Sequence, residues 1–208
     1  MREKLEKLYV RNKRPKMTPF KRVEAAIQHK EPDRVPFDFW AVPEVIEMLK
    51  NYLGANSEEE LQQLLGIDCR LVKPYIGPEP KRFDDGSFFT PWGSHRRLVS
   101  NEYSTYEEYA SFSLAEARSS EEVINWKSWP KTEYWNWQSL LPQIERINQD
   151  TRYHIRYEVG GIFESSWALY GLDRFLIDLV DRPEIPCTIM DCYTDLMRAN
   201  VHSLMKAA

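Results

Sequence analysis

The chain is short of several things, and each shortage closes off a class of function. It has three cysteines in 208 residues, an odd count at wide spacing. No disulfide framework is expected from that, and a reducing cytoplasm is the expected compartment. No run of roughly eighteen apolar residues occurs, so no membrane-spanning helix is expected. The longest candidate, Phe175-Leu176-Ile177-Asp178-Leu179-Val180, is short and broken by a charge. The basic start is never followed by an apolar stretch of the kind a secretory signal needs. Gly160-Gly161 stands alone and is not a phosphate-cradling loop. His29, His95, His154 and His202 are scattered, and Cys187 and Cys192 lie five apart with His202 ten further on. That is not zinc-ligand spacing, so no metal site is expected within this chain. Internal repeats and low-complexity segments are also missing.

What is present is a chain that must fold. It carries 27 aromatic residues (Trp 7, Tyr 11, Phe 9) and is 42% hydrophobic. At this size about 70% of the unfolded surface is removed from water. The net charge is -4, unevenly placed. Residues 1–16 hold seven Lys and Arg against Glu3 and Glu6, a local +5, which leaves -9 for the rest. The first 16 residues read as a basic leader helix whose Leu5 and Leu8 dock on the body. The alternative is a contact to phosphate or to an acidic partner. The acidic remainder argues against nucleic acid. Trp126, Trp129, Trp135 and Trp137 crowd one stretch with Lys127 and Lys131, a pattern that can stack single strands. Glu121, Glu122 and Glu133 offset the charge, so the stretch reads as a crossover stapled by tryptophan packing.

Local signals define the elements. Thr18-Pro19 opens a helix with Phe20, Val23, Ala26 and Ile27 on one face, stopping before Pro32. Val35 to Trp40 reads as a short strand. Pro43 to Leu53 is helical and ends at Gly54. Ser57-x-x-Glu60 and Ser119-x-x-Glu122 are capping boxes. Cys69 to Tyr75 reads as a strand with Cys69 in the core. Asp85-Gly86 and Trp92-Gly93 are turn signals within an antiparallel excursion of two to four strands over about 81–109, to which Leu98, Val99, Tyr103 and Tyr106 supply strand-type residues. Gln138 to Ile147 is helical, Tyr153 to Val159 is a strand, and Phe163 to Tyr170, Leu172 to Val180 and Pro186 to Ala208 are helical. Pro186 suggests that the last helix starts late.

Alternating strands and helices argue for α/β with a parallel sheet. Three parallel strands in such a chain leave apolar edges uncovered, so residues 17–208 are expected to be the front part of a larger fold.

Met17-Thr18-Pro19-Phe20-Lys21-Arg22-Val23 with Ala25-Ala26-Ile27, followed by Glu31-Pro32-Asp33-Arg34-Val35-Pro36, resembles the opening of the uroporphyrinogen decarboxylase superfamily. Leu64, Gly66-Ile67-Asp68 and Arg70 are similar to a second-strand segment of its decarboxylase-like and corrinoid methyltransferase branch. Gly160-Gly161-Ile162-Phe163-Glu164-Ser165 and Gly171-Leu172-Asp173, with Phe175-Leu176 and Asp178-Leu179, resemble a third-strand loop and its helices. The resemblance implies a (β/α)8 TIM barrel, here its N-terminal part with an inserted antiparallel hairpin region. It implies an enzyme, a methyltransferase or a carboxy-lyase, whose zinc and corrinoid partner would be met in the complete protein and not within this chain. Two departures bear on the activity. The family's arginine-rich loop is replaced by Asp38-Phe39-Trp40-Ala41-Val42-Pro43-Glu44, and its second-strand aspartate by Lys73-Pro74-Tyr75-Ile76-Gly77. A polyanionic porphyrinogen needs cationic clamps and a carboxylate for its developing cation. Methyl transfer is therefore the leading expectation. Tetrapyrrole decarboxylation and a non-catalytic fragment acting through oligomerisation, or through a second half chain, are the alternatives.

Candidate site residues follow from strand-top positions. Asp38 alternates with Phe37 and Phe39 and is a candidate acid–base group. Glu158 and Glu164 flank the Gly160-Gly161 turn and are candidates for the same work. Trp40 and Tyr75 are flat walls suited to a planar or methylated aromatic ligand, and Trp167, on the loop and helix start after Gly160-Gly161, is a further candidate substrate contact. Gly160 and Gly161 permit close ligand approach. Ser165 and Ser166 have no histidine placed to activate them, so nucleophilic catalysis is not expected.

Overall fold

The computed structural model describes residues 16–76, 82–102 and 105–207. The leader before Lys16, and Gly77 and Tyr103, lie outside the described residues. In chain order the elements are α1 (Pro19–Ile27), α2 (Pro43–Leu53), α3 (Glu58–Leu64), β1 (Cys69–Leu71), β2 (Tyr75–Ile76), β3 (Phe88–Phe89), β4 (His95–Ser100), β5 (Thr105–Ser111), α4 (Ser120–Ile124), β6 (Trp135–Asn136), α5 (Leu140–Ile147), β7 (His154–Arg156), α6 (Ile162–Tyr170), α7 (Leu172–Asp181) and α8 (Glu184–Ala207). No helix is long and apolar enough to cross a membrane among the described residues.

These elements form two compact units. The first contains the residues up to Lys73 together with Leu140–Glu158, and the second Pro74–Ser139 together with the chain from Val159 on.

The (β/α)8 barrel expected from the sequence is not the architecture found. Among the described residues the sheets have two, two and three strands, and only β1 and β7 pair in parallel, over three residues each. Two local causes are visible. Val35 to Trp40 forms no strand: Pro36 supplies no donor, and the Asp38 side chain caps the Phe39 amide at 2.9 Å. The backbone link of this segment to the start of β1 is one bond, from the Asp68 amide to the Phe37 carbonyl at 2.8 Å, and the Phe37 amide turns to the Asp68 side chain in place of a strand partner. The expected strand from Cys69 to Tyr75 breaks at Pro74 into β1 and β2, which pair with different partners.

The first unit is organised around buried charge. Arg22, on the inner face of α1, is 1% exposed, and Asp68, just before β1, is 0% exposed. The Arg22 guanidinium donates to Asp33 (Nε to Oδ1, 2.5 Å) and to Asp68 (Nη1 to Oδ1, 2.5 Å), and through Nη2 to the Met17 carbonyl at 2.8 Å. Arg34 reaches both Asp68 oxygens, at 2.6 and 3.0 Å, and the Phe37 amide donates to Asp68 Oδ2 at 2.8 Å. Asp68 thus accepts from two guanidinium groups and an amide, which satisfies a carboxylate removed from water. Arg70 forms a fork with both Glu59 oxygens, at 2.8 and 2.9 Å, and lies 3.8 Å from the Tyr153 ring centroid. Leu61, Val72 and Leu140 fill the apolar part of this unit's interior.

The helix signals act as read, with one refinement. Thr18 caps α1 and Gly54 ends α2 in the left-handed region at φ 69°. Ser57 and Ser119 each accept the amide of the glutamate three residues on. Glu60 accepts the Asn56 amide and Glu122 the Arg118 amide, one residue before the cap in each case.

The second unit pairs a meander with helices. β3, β4 and β5 form an antiparallel sheet; Gly86 (φ 79°) turns the chain between Arg82 and β3, and Gly93 (φ 76°) turns β3 into β4. Its core is Leu114, Ala117, Val123, Leu169, Tyr170, Phe175, Ile185 and Ile189. Trp126 and Trp129 pack against that core, edge to face at 5.2 Å, with Trp129 Nε1 donating to the Val123 carbonyl at 2.7 Å. The last helix does not start late. It begins at Glu184, and Pro186 sits in its first turn, where the missing N–H has no intrahelical partner to lose.

Candidate functional site

The second unit holds a cavity of about 330 Å³. Thr90, Trp92 and Ser94 come from the turn between β3 and β4, Arg96 from β4 and Tyr109 from β5. Glu164, Ser165 and Trp167 come from α6, and Tyr193 from α8. Trp92, Tyr109, Trp167 and Tyr193 make the walls largely aromatic.

Strand register sets one wall. Arg96 and Tyr109 are cross-strand partners. The guanidinium lies 4.3 Å from the Tyr109 ring centroid, and its Nη2 donates to the Tyr109 hydroxyl at 2.7 Å. Nη1 donates to Glu107 at 3.0 Å, while Nε is buried with no hydrogen-bond partner. Burial works against the Arg96 charge, but the bonds to Tyr109 and Glu107 outweigh it and hold its pKa above the ordinary value. Trp167 meets Tyr109 edge to face at 5.6 Å. Ser94 is 1% exposed and locks the turn to α6, donating to the Ala168 carbonyl at 3.0 Å.

The opposite wall is built at the start of α6. Gly160 has φ 95°, a conformation that side chains other than glycine rarely adopt. A Cβ there would lie 2.7 Å from the Tyr193 hydroxyl. Ser165 Oγ donates to that same hydroxyl at 2.8 Å. Burial raises the Tyr193 phenol, and the Ser165 bond works the other way. Glu164 is exposed in the first turn of α6, where the helix dipole favours its charge. Its Oε2 would stand 3.1 Å from a Cβ on Gly161, so the carboxylate folds back over its own helix start.

Of the residues singled out in the sequence, Glu164 and Trp167 line this cavity, Gly160 backs the Tyr193 hydroxyl, and Gly161 caps α6. Asp38 and Glu158 belong to the first unit, as does Trp40. Asp38 is about half exposed and pairs with Arg156 Nε at 3.1 Å. Glu158 is exposed, and Trp40 is 88% exposed. Tyr75 belongs to the second unit, where it is 66% exposed and its amide donates to Ser139 Oγ at 3.1 Å. It is not among the residues lining the cavity. Trp92, Arg96, Tyr109 and Tyr193 were not anticipated. The Arg96–Tyr109 pair follows from the register of the meander, which the turn residues alone do not fix. Tyr193 lies between Ile189 and Met197 in the buried stripe of α8, a position that does not by itself mark a cavity residue.

Zinc does not fit the residues described. Among them no group of three or more His, Cys, Asp or Glu is placed to hold a metal ion. Burial raises the Cys192 thiol, the opposite of what a thiolate ligand needs. No family model matches the chain, and no curated protein or solved structure matches it.

Proposed function

We propose that the chain acts in methyl transfer on a small organic substrate, as does the corrinoid methyltransferase branch that its motifs resemble, and that the cavity of the second unit holds that substrate. The observation that supports this best is the cavity itself. Its volume of about 330 Å³ lies at the low end of small-molecule sites. That suits a single ring and not a tetrapyrrole. Arg96 is the one cation among the lining residues, whereas a polycarboxylate would call for several. Four aromatic side chains offer flat apolar faces to a planar ring. The part of these residues is to bind and orient the substrate. The described residues offer no metal set, so the reading assigns them no metal-dependent step. A corrinoid protein is the proposed partner, and a reducing cytoplasm suits three cysteines that are all free.

Equilibrium dialysis with methoxybenzene and with uroporphyrin tests the reading. Saturable binding of methoxybenzene is expected, with its O–CH3 bond breaking as the labelled methyl group passes to an added cobalt(I) corrinoid and the phenolate leaving, protonated from solvent, as phenol. Uroporphyrin binding with carbon dioxide release from the porphyrinogen would overturn it in favour of decarboxylation.

A further inference from the structure

Tyr193 is 4% exposed, yet it lines the cavity. A phenol carries one proton and lone pairs that accept. Ser165 donates to Tyr193 Oη, so the phenolic proton stays available. No hydrogen bond among the described residues takes it. A buried donor without an acceptor is costly, and an oxygen on a bound ligand would relieve that cost. Three features hold the donor in place. Ser165 fixes the oxygen from α6, the bare backbone of Gly160 leaves it room, and Trp92 packs on the phenol ring at 5.7 Å.

The charge in the cavity points the same way. Arg96 uses one N–H of Nη1 on Glu107 and one of Nη2 on Tyr109. Each of those nitrogens carries a second N–H. Glu164, the acidic residue of the lining, is exposed and folded back over Gly161, where water and salt screen it. The lining therefore offers a guanidinium and a phenol to a ligand, between aromatic walls.

We propose that Tyr193, oriented by Ser165, donates a hydrogen bond to a ligand carboxylate, with Arg96 as the charged partner, so that the preferred ligand is a flat ring bearing one carboxylate. This rests on the cavity being the substrate site. Tyr193 and Arg96 select the ligand; Ser165 is a positioning residue that acts through Tyr193.

The test is binding of benzoate, methoxybenzene and benzyltrimethylammonium to the full chain by equilibrium dialysis. Benzoate is expected to bind at least about tenfold tighter than methoxybenzene, as a hydrogen bond to a charged group allows. Tyr193→Phe should cost benzoate about tenfold and leave methoxybenzene within about twofold. Ser165→Ala should weaken benzoate and move the Tyr193 phenol titration upward, read by absorbance against the Tyr193→Phe variant. Near-ultraviolet circular dichroism confirms that each variant keeps its fold, and Arg96→Gln supplies a second readout should Tyr193→Phe unfold. Tightest binding of benzyltrimethylammonium, or equal losses for both ring probes in Tyr193→Phe, would overturn the assignment. If methoxybenzene binds and benzoate binds no better, the donor assignment fails alone. If no probe binds, the substrate-site reading fails with it.

Discussion

Arg22 and Asp68 meet at 2.5 Å with both side chains essentially closed to solvent. A buried pair of this kind adds little net stability when intact, but it is costly to break, because the remaining charge has no water to turn to. Asp68 also answers Arg34 and the Phe37 amide, so its loss would leave Arg22 with Asp33 alone and take the shared acceptor from Arg34 and that amide.

Asp68→Asn should therefore destabilise the first unit by about 3–5 kcal/mol. Urea unfolding followed by near-ultraviolet circular dichroism measures it. A loss below about 1 kcal/mol, the range of exposed pairs, would show that the network is not closed to water.

Acid should unfold the first unit early. The hydrogen bond from Arg22 holds the Asp33 carboxyl well below its ordinary value. A lowered folded-state pKa contributes stability that is present above the unfolded value and is lost as pH falls through the folded one. The loss should begin below about pH 4. Asp33→Asn should flatten that part of the stability profile, measured by thermal midpoints between about pH 2 and pH 7.

The second unit should be sensitive to alkali. Burial, and then the bond to Asp178 at 2.6 Å, push the Tyr170 phenol up to about 12. A raised folded-state pKa gives stability that is full below the unfolded value, near 10, and is lost as pH rises towards the folded one. Tyr170→Phe should remove that decline, seen as a flatter unfolding midpoint between pH 10 and about 12. An unchanged alkaline limb would show that Tyr170 is not its source.

Gly160→Ala should both strain and disturb. The backbone at φ 95° disfavours a side chain, and the added Cβ would lie 2.7 Å from the Tyr193 hydroxyl. A loss of about 1–3 kcal/mol is expected, with an altered Tyr193 titration. If stability holds and the titration does not move, the turn has room that the geometry denies it.

Asp38→Asn should do little. Its pair with Arg156 is partly exposed on both sides, so the expected change is within about 1 kcal/mol. Chemical unfolding measures it, and a larger loss would mean that the Asp38 carboxylate carries more than this pair.

Much of the local structure was legible in the sequence, because helix ends are written in neighbouring residues. Thr18-Pro19, Gly54, Ser57 and Ser119 all act within four positions of themselves. The sheet was not legible, because pairing depends on partners far along the chain. Pro36 and Pro74 each cost a strand a donor in segments that still read as apolar and extended. The residues that carry the family resemblance include Arg22, Asp33, Arg34, Asp68 and Arg70. All five take part in ion pairs in the first unit, so in this structure they are framework. Glu164 and Trp167 could be picked out because they follow a paired glycine. Arg96 and Tyr109 could not, because only the register of β4 on β5 brings them side by side.

The parallel pairing of Cys69 with His154 sets an order of events in biosynthesis. β1 leaves the ribosome long before β7, and the whole meander and the tryptophan-rich stretch are made in between. The first unit cannot close its sheet until that intervening chain has emerged, and closing so long a loop is slow. Meanwhile Asp68 must wait beside Arg22 and Arg34 with no β7 alongside. A nascent chain stalled before His154 should thus be a good client for a chaperone.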